Sequence, residues 1–129
     1  MMKKAIIAIL GAGLLANSSA LAIHYLPERY EIEHWYQSLM MPDRPELSCC
    51  GVADAYWADE FEDKDGHYIA IITDDRNVPL RKPIPLGTRI PIPDNKLPNT
   101  ALQQPNPTGH GIVFMNYGSV YCYFPPVMN

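Results

Sequence analysis

Three cysteines constrain this chain more than any other feature. Cys49 and Cys50 are adjacent, and the third, Cys122, stands near the C-terminus. Neighbouring α-carbons lie about 3.8 Å apart across a trans peptide, below the roughly 4.4–6.8 Å of most disulfides. The neighbours can therefore pair with each other only across a strained or cis peptide. The favoured bridge joins one of them to Cys122 and ties the entry of the first hairpin to the last strand. Closing so long a loop stabilises by about 4 kcal/mol on chain entropy. In an extended segment the two side chains point to opposite faces, so only one meets Cys122. Gly51 permits a close turn beside Cys50, which makes Cys50–Cys122 the expected pair. Cys49 is the alternative partner, because the same glycine serves it nearly as well. The remaining thiol is either buried as a small apolar residue or exposed and reactive.

The N-terminus says why a bridge is expected. Lys3 and Lys4 precede an uncharged apolar run from Ala5 to Ala16, a polar stretch from Asn17 to Ser19, and then Ala20, Leu21 and Ala22. This is the charged, apolar and small-residue order of a secretory signal. The apolar run is shorter than the roughly 20 residues a spanning helix needs. Cleavage after Ala22 fits best, and cleavage after Ala20 is second. The reading is a signal peptide over 1–22, then one compact β-rich domain over 23–129, periplasmic or secreted, with no membrane span after cleavage. Disulfides persist in such compartments. Losing two lysines takes the formal net charge from −4 to −6. A net acidic chain argues against nucleic acid or an anionic membrane as its partner.

Periodicity gives the architecture. In "HYLPERYEIEHWYQSLMMP", Ile32, Trp35, Tyr36 and Leu39 recur at helical spacing. Pro27 suits the first turn, and Pro42 ends the pattern. From Ala55 the period becomes two. Ala55, Trp57, Asp59 and Phe61 alternate with Tyr56, Ala58, Glu60 and Glu62. "KDG" (Lys64 to Gly66) is a turn signal, and "HYIAIITDD" completes a hairpin. "GTRIPIP" can form only an edge strand, since Pro91 and Pro93 donate no hydrogen bond. "GIVFMNYGSVYCYFPP" reads as a second hairpin turning at "NYGS". The sum is a mainly β, α+β domain: a small twisted antiparallel sheet or partly open barrel of about five strands, with one N-terminal helix packed on it.

The chemistry-bearing residues are few. Cys49, Cys50, Cys122 and His110 would give a sulfur-rich set suited to copper or zinc. Adjacent cysteines, however, lack the C-x2-C spacing of zinc modules. No cofactor is therefore the first expectation and a copper or zinc thiol protein the alternative. His110 lies in "TGHG", so Asn106, Thr108, Gly109 and His110 form a candidate ligand loop. The acidic run Asp59 to Gly66 lacks the calcium-loop spacing and reads as a charged hairpin tip. There is no P-loop, G-x-S-x-G or H-E-x-x-H motif. A non-enzymatic domain that binds an envelope protein or a small ligand is the leading reading, and no catalytic residue is assigned.

The segments "WYQSLMMPDRPELSCCGVADAYW", "NPTGHGIVF" and "VYCYFPP" resemble a set of small exported proteobacterial proteins. These show a W-Y-x-S-L start, an S-C-C…A-D motif, an N-P-T-G loop and a final C-[FY]-x-P-P. The resemblance spans nearly all of 23–129. It implies an exported single domain and, since the set has no assigned activity, no catalytic residue. Some members carry cysteine in place of Ala55 and another near Phe114. If those two pair in the relatives, Ala55 and Phe114 should be neighbours here, with the "ADAY" and "GIVF" strands side by side.

Overall fold

The computed structural model describes residues 27–98 and 104–126. The signal expected over 1–22 and His24 lie outside the described residues. Helix α1 (Pro27–Ser38) comes first, followed by a single turn, α2 (Cys49–Val52). Strands β1 (Asp54–Glu62), β2 (Tyr68–Ile72), β3 (Arg89–Pro91), β4 (Gly111–Asn116) and β5 (Ser119–Phe124) follow, with a 3-10 turn at Asp94–Lys96. All five strands pair antiparallel in the order β3-β2-β1-β4-β5. The sheet curls into a half-barrel. β3, with Pro91, lies at the edge, where a missing N–H costs least.

β1 alternates as its sequence requires. Tyr56 and Ala58 enter one hydrophobic cluster with Ala70, Ile72, Ile90, Val113, Met115 and Tyr123. Ala55 and Trp57 pack against the other, which holds Trp35, Leu39, Met41, Ile112, Phe114 and Phe124. β4 sits between the two clusters and is buried from Gly111 to Met115. Its side chains therefore feed both, Ile112 and Phe114 toward the helix and Val113 and Met115 toward the concave face. Ala55 and Phe114 are register partners, so the "ADAY" and "GIVF" strands do lie side by side.

α1 covers the Ile112 and Phe114 face through aromatic edges. Trp35 meets Phe124 at 5.6 Å between ring centres, and Tyr36 meets Phe114 at 6.2 Å. The Trp35 indole N–H also donates to the Gln104 carbonyl at 3.3 Å. On the concave face Gly111 lets two strands close tightly. A Cβ there would stand 2.8 Å from the Ala58 carbonyl oxygen. Beside it the buried Tyr123 hydroxyl donates to Glu60 at 2.8 Å.

The disulfide joins Cys49 to Cys122, with α-carbons 6.1 Å apart. The expectation of a Cys50–Cys122 pair is corrected, and the alternative partner is the one used. The reason lies in the backbone. Ser48 caps α2 by accepting from the Gly51 N–H at 3.3 Å, so the cysteine pair is helical rather than extended. Cys49 turns into the core, where it and Cys122 are fully buried. Cys50 turns outward, and its thiol approaches the Tyr36 carbonyl at 3.3 Å. Within the described residues no helix is long and apolar enough to cross a membrane.

Candidate functional site

One face of the sheet gathers residues from α1, α2, β1 and the connections that precede β3 and β4. Trp57 on β1 is its centre. The His110 ring stacks on the Trp57 ring at 4.1 Å, tilted by only 7°. The Arg76 guanidinium lies 3.5 Å from the Trp57 ring centre. The Tyr36 phenol lies beside the Trp57 side chain. Cys50 stands beside Tyr36 from below α1.

Each of these positions has a structural cause. Asn106 is buried and staples its own loop. Its carboxamide oxygen accepts from the Thr108 N–H at 2.9 Å and hydroxyl at 2.7 Å. Its amide nitrogen donates to the His110 carbonyl at 2.7 Å and the Pro125 carbonyl at 3.2 Å. Gly109 adopts the left-handed conformation (φ 78°) that this turn requires. Of the expected ligand loop, Asn106 and Thr108 are thus spent on shape, and His110 is what the loop delivers.

Arg76 is held by Asp74, whose carboxylate is sealed from solvent. Asp74 accepts from the Arg76 N–H at 3.1 Å, Arg76 Nε at 2.8 Å and Nη2 at 2.7 Å, Arg81 Nη1 at 2.8 Å and the Trp57 N–H at 3.1 Å. Arg81 also donates to the Ala55 and Arg76 carbonyls and lies 4.5 Å from the Tyr56 ring centre. Burial alone would raise the Asp74 carboxyl. The donors, led by Arg76 and then Arg81, outweigh it and hold the group well below the usual carboxylate range. Asp74, Arg76 and Arg81 were not foreseen from sequence, since "TDDR" reads as an ordinary polar loop. The one available hint is a proline-rich stretch carrying Arg81 directly after the apolar Leu80.

The metal set is not assembled. Cys49 and Cys122 are bonded to each other, Cys50 faces away from them, and His110 lies flat on Trp57. Among the described residues no three His, Cys, Asp or Glu side chains are grouped to hold an ion. Burial raises the Cys50 thiol, the reverse of the shift that activates a nucleophile. Burial likewise raises the Tyr36 phenol, with Arg76 opposing it. The face therefore presents an aromatic surface edged with hydrogen-bond donors. Comparison with protein families, curated proteins and solved structures finds no match to the chain.

Proposed function

We propose that this protein is an exported, non-enzymatic binding domain of the cell envelope, and that the Trp57 face engages its partner. The observation that carries the reading is the convergence of Tyr36, Cys50, Trp57, Arg76 and His110 on one surface, with Arg76 held in place by a carboxylate that has no spare valence. Aromatic and arginine side chains positioned before contact are the residues that dominate binding energy at interfaces. The Cys50 thiol is raised by burial, the reverse of the shift that activates a nucleophile. The Cys49–Cys122 bridge supports an oxidising compartment, in keeping with the N-terminal signal pattern.

The test has two parts. Fractionation with intact mass should find the chain outside the cytoplasm, oxidised and shortened by the signal. A photo-crosslinking residue at the exposed Asn77, next to Arg76, should trap a discrete species that the same residue at Lys64 does not. Arg76→Ala should abolish that species. Recovery of a cytoplasmic chain with three reduced thiols, or identical products from both crosslinker positions, would sink the reading.

A further inference from the structure

Two non-glycine residues adopt left-handed backbone conformations among the described residues: Leu80 (φ 68°) and Tyr117 (φ 51°). They are also the two most exposed large hydrophobic side chains there, at 105% and 92% of full exposure. Leu80 is the third residue of a turn closed by the Arg81 N–H on the Val78 carbonyl at 3.2 Å. With Pro79 before it, this is the position that glycine normally takes in a type II turn. Tyr117 is the first central residue of the two-residue Asn116–Ser119 hairpin, where both Tyr117 and Gly118 have positive φ. Asparagine or glycine normally occupies that position. At both tips, then, the backbone bears strain to present an apolar side chain to solvent. Strain of this kind persists where function requires it.

The tips belong to the same end of the half-barrel. The β2–β3 connection and the β4–β5 turn both leave the sheet there, and Leu80, Lys82, Ile84, Met115 and Tyr117 line a groove of about 410 Å³ between them. Val78 and Leu86, on the same connection, are exposed as well. From Arg76 to Pro93, after Asp74 and Asp75, the chain has no acidic residue; Arg76 and Arg81 are paired with Asp74 and Arg89 lies over Phe61, which leaves Lys82 as the cation beside the groove. Asp54 is the one carboxylate lining the groove. A denser group of acids lies at the far end, where the β1–β2 tip carries Glu62, Asp63 and Asp65 and Asp94 pairs with His67 at 3.3 Å. The net charge of the chain conceals this polarity.

We propose that the Leu80–Tyr117 end docks on the surface of a phospholipid membrane containing anionic lipid. Leu80 enters the acyl boundary and Tyr117 sits at headgroup level, where its amphipathic ring is favoured. Lys82, which lines the groove, faces the anionic headgroups, and the acidic end points away from them. The surface is separate from the Trp57 face, so a domain docked this way keeps that face open to a partner.

Flotation of the oxidised chain with phosphatidylcholine–phosphatidylglycerol vesicles tests the proposal. Wild-type protein should float, and the double variant Leu80→Asn/Tyr117→Asn, with the same N-terminus, should partition at least about tenfold less. Asparagine tolerates left-handed backbone, so this variant should fold at least as well. Lys82→Glu should weaken binding to these vesicles and leave binding to pure phosphatidylcholine unchanged. In wild-type protein, doxyl-labelled lipid should broaden the Leu80 methyl resonances and spare those of Ile112. Equal flotation of wild type and double variant, or unbroadened Leu80 methyls, overturns the proposal. If the double variant unfolds, the methyl broadening decides alone.

Discussion

Asp74 and Arg81 form an ion pair at 2.8 Å whose side chains are 0% and 7% exposed. The pair is not isolated, because Arg76 and the Trp57 N–H complete the carboxylate's shell. Removing one member of such a buried network leaves uncompensated charge. Asp74→Asn should therefore destabilise the fold by about 3 kcal/mol at neutral pH, read from urea midpoints. A carboxyl held below its unfolded value stabilises the fold above that value and loses the contribution as pH falls through the folded one. The gap between wild type and Asp74→Asn should be full above about pH 4 and narrow as the pH drops further. A gap constant down to the most acid conditions would contradict the network.

The bridge makes a separate prediction. Cys122→Ala or Cys49→Ala opens a crosslink spanning 73 residues. Chain entropy puts the loss at about 4 kcal/mol. Cys50→Ala should leave thermal stability nearly unchanged. Thiol titration of the native protein should count one thiol, and Cys50→Ala should bring that count to zero. Two or three native thiols would contradict the pairing.

Gly111→Ala tests the close approach of β4 to β1. The added methyl would meet the Ala58 carbonyl at 2.8 Å and the Tyr123 hydroxyl at 3.2 Å. Backbone oxygen cannot swing away, so the strands must part. We expect a loss of about 2 kcal/mol, of the size seen for overpacked cores. Wild-type thermal stability in this variant would show that the contact has slack.

Leu80→Asn and Tyr117→Asn should each raise stability, by roughly 0.5–1 kcal/mol, since each relieves a left-handed position without removing a buried contact. Calorimetry of the single variants checks the sign. A fall in melting temperature would mean that these side chains contribute to the native packing.

Much of this fold is legible in local pattern. The alternation of Tyr56 and Ala58 against Ala55 and Trp57 marks the two faces of β1, and Pro91 marks the edge strand. What depends on distant partners is not. The choice between Cys49 and Cys50 turned on whether Ser48 caps a helical turn, and an extended backbone predicts the opposite geometry. Asp74 and Arg81 look like surface charge until a curled sheet encloses them. His110 was visible as a loop residue with freedom to reach something. That it reaches Trp57 follows from the Asn106 staple, whose second anchor, Pro125, lies beyond both strands of the last hairpin.

The burial of β4 on both faces has a consequence for how the chain comes into being. Synthesis runs from the N-terminus, so β1, β2 and β3 emerge long before Gly111. Until β4 and β5 are made, β1 has a bare edge and each hydrophobic cluster lacks its middle. No stable half of this sheet can wait for the rest. The nascent domain stays unfolded until the β4–β5 hairpin is made, and that hairpin then completes two cores and aligns the cysteines in a single cooperative step.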